Sequence, residues 1–220
     1  MKFSMIIPCY NEEENMDHLL HAVIPLQKKF DLEWIFVENG SVDQSREYFK
    51  KAEGRYPNVR MVYVDKNRGY GYGLQQGIKA ARGDYIGWIH ADLQIGPEEL
   101  LPFFTYLLRN TKEKEIFLIG RRTNRSCLDR FFTFGQSVMN TVLFRAVLFD
   151  NGAIPVLFHR SLLDFTDIGN MPDDFSIELY IYLLAYNRHF KIRRHKVKLA
   201  GRKKGTSSWN HGLRSKWKQS

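Results

Sequence analysis

The residues best suited to chemistry are His90-Ala91-Asp92-Leu93-Gln94. They follow a short apolar run, Tyr85-Ile86-Gly87-Trp88-Ile89, and precede Gly96-Pro97-Glu98-Glu99. The run reads as a buried strand that ends in a cluster of hard ligands. Asp92 and Gln94 stand two apart, so an extended backbone would turn both side chains to one side. A carboxylate and an amide oxygen so placed suit a hard divalent cation that keeps other sites for phosphate oxygens. That is chemistry for a nucleotide diphosphate leaving a carbon atom. The plainer alternative is a turn or capping aspartate, and the rest of the chain decides between them.

The elements that must position these residues are legible in the periodicity. Residues 3–7 form an apolar first strand, which Pro8 should stop. Asn11 with Glu14 fits a capping box, and Met16, Leu19, Leu20 and Val23 follow at helical spacing. Pro25 should break or kink that helix. Residues 34–37 are a second strand, followed by Glu38-Asn39-Gly40, and Ser41 with Gln44 opens a helix towards Ala52. Residues 59–64 are a third strand, then come a glycine-rich stretch and a helix to about Ala81. Residues 85–89 are the fourth strand and 97–108 a helix, with Pro97 in its first turn, where the missing N–H is not needed. Residues 116–119 are the fifth strand. The alternation predicts an α/β chain with a Rossmann-like, mostly parallel sheet and helices on both faces. Such sheets bind ligands beyond the carboxyl ends of their strands. Residues 10–12, 38–41 and 90–94 all fall there and should make one site.

The second half is less regular. Residues 128–149 are aromatic-rich and predict one or two amphipathic helices. Residues 156–159 read as a strand. Residues 175–186 read as a helix with Asp173 and Asp174 near its start, where the dipole favours them. Residues 191–199 fall partly at strand period, and Arg202 to Trp209 form a polar loop. No repeat or long linker interrupts the chain, so 1–220 is expected to be one domain with a short basic tail from about residue 210.

Composition sets outer bounds. With 220 residues, 44% hydrophobic, the chain can bury a core. A net charge of +9 suits an anionic partner. Cys9 and Cys127 make no metal motif and suggest a reduced, cytoplasmic protein. Residues 3–7 are too short for a signal sequence. No apolar run approaches the ~20 residues that span a bilayer. The stretch Gly69-Tyr70-Gly71-Tyr72-Gly73 lacks the Lys-Ser/Thr ending of a P-loop and reads as a tight turn into a helix. Residues 188–204 are dense in Lys, Arg and His. Their aromatics are not interleaved at base-stacking spacing, which argues against nucleic acid. A solvated strand face, an acceptor phosphate or lipid headgroups remain. His18 and His21 lie three apart with no further ligand near them in sequence, as on a solvated helix face.

Taken in order, these motifs resemble the family 2 glycosyltransferases of GT-A fold, and most of all the dolichyl-phosphate mannosyltransferase and polyprenyl-phosphate glycosyltransferase branch. The matched stretches are Pro8-Cys9-Tyr10-Asn11-Glu12, Val37-Glu38-Asn39-Gly40-Ser41, Arg68-Gly69-Tyr70-Gly71, Ala91-Asp92-Leu93-Gln94, Gly120-Arg121-Arg122 and Arg202-Lys203-Lys204-Gly205-Thr206-Ser207. The resemblance implies that Pro8, Tyr10 and Glu12 line a nucleotide pocket with Val37, Asn39 and Ala91. It implies that Asp92 and Gln94, with His90 beside them, hold Mg²⁺ or Mn²⁺ against the diphosphate. Arg122, Arg202 and Ser207 would face phosphates, and Arg130 would meet the acceptor phosphate. Three departures stand out. The family usually has Asp-Asp where this chain has Glu38-Asn39, and Asp where His90 stands. Many relatives carry Lys at the position of Ser208. Imidazole is a softer ligand than carboxylate and favours Mn²⁺.

The chemistry so implied follows from charge. The diphosphate gains negative charge as the sugar carbon becomes cationic, and a cation and arginines aimed at it stabilise the transition state. In-line attack from the opposite face inverts the anomeric centre. A phosphate acceptor is already ionised and needs no base. A hydroxyl acceptor needs one within reach, and Asp174 and Glu178 are the candidates. The expectation is an inverting hexosyltransferase of polysaccharide biosynthesis, cytoplasmic and peripheral to the membrane. It would use a GDP- or UDP-linked sugar and a polyprenyl phosphate. Phe131, Phe132 and Phe134 read either as core or as a face lying in the membrane interface. The rivals are a transferase that extends a saccharide and a nonenzymatic nucleotide-sugar or polyanion-binding module, which His90 keeps open.

Overall fold

Seven strands make one sheet in the order β3-β2-β1-β4-β6-β5-β7 in the computed structural model, which describes residues 1–123 and 153–199. The strands are β1 (Phe3–Cys9), β2 (Leu32–Asn39), β3 (Val59–Val64), β4 (Tyr85–Trp88), β5 (Ile116–Arg122), β6 (Val156–His159) and β7 (Lys191–Val197). Helices α1 (Met16–Gln27), α2 (Ser45–Ala52), α3 (Tyr70–Ala80), α4 (Leu101–Arg109) and α5 (Ser176–Asn187) connect them, and a 3₁₀ turn at Pro97–Leu100 leads into α4. Strands β1 to β4 run parallel, β5 pairs with β7 in parallel, and β6 runs against both β4 and β5. The expected mostly parallel sheet is therefore met, with one reversed strand.

All eight residues of β2 are buried, and six of the seven in β1. Successive side chains point to opposite faces, so both faces of these central strands are covered. The core is aromatic. Phe3, fully buried, lies 4.6 Å from Phe104 and 5.9 Å from Tyr85, ring centre to ring centre. A dry acid anchors the amino-terminal end of the sheet. Glu33, 5% exposed, accepts from the Ser4 hydroxyl at 2.6 Å, the Arg60 guanidinium at 2.7 Å and the Arg82 amide at 2.7 Å. Without those donors its burial would be costly.

Several local expectations are corrected. β1 continues through Pro8 to Cys9. Its pairing with β4 ends at Ile6, so Pro8 lies past the β4 ladder and no bond to that side is lost. The helix starts are shifted. α1 begins at Met16 without a side-chain cap, because Asn11 is left-handed (φ 55°) and its oxygen accepts from the Val42 amide instead. α2 likewise begins at Ser45, and Ser41 Oγ accepts from the Asn11 amide. The two residues that looked like caps tie the β1–α1 and β2–α2 loops together. Pro25 lies within α1, which ends at Gln27, inside the next turn.

Candidate active site

The carboxyl ends of β1, β2 and β4 open onto one cleft. Pro8, Cys9, Tyr10 and Glu12 come from the end of β1, Asn39 from β2, and His90, Ala91 and Asp92 from β4. The three polar clusters expected at strand ends do meet. Asn67 and Tyr70, from the turn into α3, and Phe175, just before α5, complete the wall. Sequence reasoning passes over these last three as wall residues. Asn67 and Tyr70 had a signal, since they follow the end of β3. Phe175 had none, because its neighbourhood is made by residues about a hundred positions away.

The loops that carry the acids are braced from below. Glu38 is fully buried, accepts from Arg46 Nε at 2.6 Å and accepts from the Ser41 amide at 2.5 Å. Glu12 receives Asn15 Nδ2 at 2.7 Å, and its own amide donates to Ser45 Oγ at 3.0 Å. Asn39 is 3% exposed and donates from Nδ2 to the Gly69 carbonyl at 2.9 Å. Its Oδ1 is buried and has no hydrogen-bond partner among the described residues. Cys9 is a buried thiol whose pKa burial raises, with Glu12 and Glu38 adding to it, so it stays protonated.

Asp92 is 8% exposed and lines the cleft, as expected. The extended backbone expected around it is not found. Leu93 is left-handed (φ 55°), and Asp92 Oδ1 accepts from the Gln94 amide at 3.1 Å. The segment is a turn, so Asp92 and Gln94 do not share a side by strand geometry, and Gln94 lies outside the cleft lining. Val37, fully buried, and Arg122, half-buried at the end of β5, also lie outside it.

His90 is held on the wall by two partners. Its Nε2 lies 3.2 Å from Tyr70 Oη and 3.7 Å from Glu178 Oε1. Tyr70 Oη donates to Glu178 Oε1 at 3.0 Å. Burial alone would lower the His90 pKa. The Glu178 carboxylate, by hydrogen bond and charge, and Asp92 by charge, outweigh burial and the opposing Arg122 and raise it. Burial and Glu178 push the Tyr70 phenol well above its ordinary value, so it remains a donor. Phe175 stacks on the Tyr70 ring at 4.5 Å.

The glycine-rich stretch is a seat, as a tight turn would be. A Cβ on Gly69 would come within 2.4 Å of the Asp173 carbonyl, and one on Gly71 within 2.2 Å of the Pro172 carbonyl. Only glycine lets the segment before α5 rest on the first turn of α3. Asp173 then binds Arg68 at 2.9 Å and Gln75 at 3.0 Å. Asp174 takes the role at the start of α5, accepting from the Ser176 amide at 2.9 Å. Ser176 lowers its pKa. Arg130, Arg202, Ser207 and the aromatic stretch 128–149 lie outside the described residues.

Among the described residues no group of three His, Cys, Asp or Glu side chains could enclose a metal ion. A carboxylate beside an imidazole still suits a divalent cation that completes its shell with substrate phosphates, because such ions are commonly held by only one or two carboxylates. No helix among the described residues is long and apolar enough to cross a membrane.

A family model described as "Glycosyl transferase family 2" matches residues 4–150. The undecaprenyl-phosphate 4-deoxy-4-formamido-L-arabinose transferase of Proteus mirabilis is 31% identical over 171 residues, covering 74% of this chain and 50% of that protein. The dolichol-phosphate mannosyltransferase of Pyrococcus furiosus is 30% identical over 156 residues, covering 71% of this chain and 40% of that one. This chain therefore spans half or less of the length of these relatives. Glucosyl-3-phosphoglycerate synthase from Mycobacterium tuberculosis, solved with Mn²⁺, UDP and phosphoglyceric acid, superimposes with a TM-score of 0.71 at 17% identity, covering 93% of this chain and 72% of that one. The fold is the GT-A fold.

Proposed function

The chain belongs to glycosyl transferase family 2, and on that premise we propose that it acts as a single domain transferring a hexose, with inversion, from a GDP- or UDP-linked sugar to a polyprenyl phosphate. The observation that carries this reading is the meeting of Glu12, Asn39 and Asp92 from three strand ends around one cleft. The names of the relatives, which act on undecaprenyl and dolichol phosphates, support the acceptor.

In this reading Pro8, Tyr10, Glu12 and Ala91 frame the nucleotide, and Val37 backs the pocket from within β2. Asn39 Oδ1, buried and without a partner among the described residues, would accept an N–H from the base. Asp92, with His90 and Gln94 nearby in sequence, would hold Mg²⁺ or Mn²⁺. When bound, that cation supplies neutralising charge to the departing diphosphate. Arg122, with Arg202 and Ser207, adds positive charge and donors on the phosphates. Arg130 meets the acceptor phosphate, which needs no base. A hydroxyl acceptor would need Asp174 or Glu178 as its base; here Asp174 accepts from Ser176 and Glu178 from Tyr70. The protein would then be cytoplasmic and work at the membrane surface, docked by residues 128–149 and the basic tail.

The deciding experiment is a panel of GDP- and UDP-linked sugars offered with a polyprenyl phosphate and read by mass spectrometry. A glycosylated lipid phosphate is expected for one donor. Transfer only to a soluble saccharide hydroxyl would replace the acceptor assignment.

A further inference from the structure

Glu178, Tyr70 and His90 form a hydrogen-bonded chain at the cleft, brought together from α5, α3 and the end of β4. The Glu178 side chain is 10% exposed, and its Oε1 accepts a hydrogen bond from the Tyr70 hydroxyl at 3.0 Å. A carboxylate can only accept, and Tyr70 has one proton to give. Among the described residues His90 Nε2, 3.2 Å from Tyr70 Oη and 3.7 Å from Glu178 Oε1, therefore meets acceptors alone. Nε2 must carry the proton, and in the neutral ring Nδ1 then holds the lone pair. Phe175 on one face of Tyr70 and His90 edge-on at 5.5 Å keep the phenol in place.

A histidine that binds a metal almost always donates its other N–H to a carboxylate or similar acceptor, which fixes the tautomer. We infer that Glu178 and Tyr70 are positioning residues that hold His90 in the tautomer able to ligate, through Nδ1, the divalent cation proposed for Asp92. The inference rests on that donor-site reading. One imidazole among oxygen ligands shifts preference from Mg²⁺ towards Mn²⁺. It also commits Glu178 to His90 and withdraws it from the role of acceptor base.

The test loads the 220-residue chain with Mn²⁺ and UDP, and a parallel sample with Mn²⁺ and GDP. Electron spin echo modulation then reads nitrogen bound to Mn²⁺. Imidazole coupling is expected in the parent and lost in His90→Asp, which should also bind Mg²⁺ relatively better. Mn²⁺ affinity, titrated by spin resonance, should fall about 10–100-fold in Glu178→Gln. The same change made in the His90→Asp background should cost far less. Mn²⁺ bound with nucleotide but without imidazole coupling overturns the inference and leaves the donor site standing. So does an equal cost of Glu178→Gln with and without His90. If Glu178→Gln fails to fold, Tyr70→Phe is titrated in its place, and a Mn²⁺ affinity equal to the parent's overturns the inference. Absence of Mn²⁺ binding with either nucleotide overturns the inference and the donor-site reading together.

Discussion

Asn39 Nδ2 donates to the Gly69 carbonyl at 2.9 Å, and this one bond orients the amide so that its oxygen is left as a buried acceptor. Gly73 leaves room for this amide, because a Cβ there would come within 2.9 Å of Asn39 Cγ and Nδ2. In the proposed reading the nucleotide base supplies its donor. Asn39→Leu keeps the branched shape and removes the acceptor, together with the donor to Gly69. UDP or GDP binding, measured by calorimetry, should weaken about tenfold, the worth of roughly one satisfied buried hydrogen bond. Unchanged affinity for both would take Asn39 out of the base site.

Asp92 is the acid that faces the cleft, and its loss should be felt in both binding and turnover. Asp92→Ala is expected to abolish sugar transfer and to weaken nucleotide diphosphate binding. His90→Ala should cost less, because the carboxylate stays. Transfer assays with and without chelator check this. Parent-like turnover by Asp92→Ala in chelator would sink the metal reading.

Gly71 lets the segment before α5 sit on α3. Gly71→Ala places a methyl 2.2 Å from the Pro172 carbonyl, so backbone must move. We expect a loss of about 1–3 kcal/mol in urea unfolding, the usual cost of overpacking. At Gly169 a Cβ meets only Asp167 Oδ1 at 3.4 Å, so Gly169→Ala should stay within about 0.5 kcal/mol. Equal effects of the two changes would refute the seat.

Glu33 makes stability depend on pH. Burial pushes its pKa up, but the Ser4 hydroxyl, the Arg82 amide and the Arg60 guanidinium outweigh that and hold it below the ordinary value. A carboxyl with a lower pKa in the folded state stabilises fully above its unfolded pKa, about 4.3. That contribution is lost as pH falls through the folded pKa. Glu33→Gln should therefore cost about 1–3 kcal/mol at pH 7, and the gap to the parent should narrow below about pH 4. A gap of the same size at pH 7 and pH 3 would mean that the carboxylate charge plays no part.

Local pattern made much of this protein legible before any coordinates. The strand at residues 59–64 matches β3 to the residue, and the turn at Gly69 and the strand at 156–159 were also readable. Apolar period is a property of neighbours in sequence, and strand ends follow from it. That is why the residues 10–12, 38–41 and 90–94 could be expected in one place. The parts that were not legible are the polar side chains whose partners lie far along the chain. Asn11 and Ser41 have the composition of helix caps, yet each satisfies the other's loop across 30 residues. Asp92 and Gln94 have the spacing of a strand, yet Leu93 turns the backbone between them. Tyr70 meets Glu178 across 108 positions, and Gly71 meets Pro172 across a similar gap. Hydrophobic burial sets the course of the backbone from local period alone. A hydrogen bond is short and directional, and its partner exists only once the chain has folded back on itself.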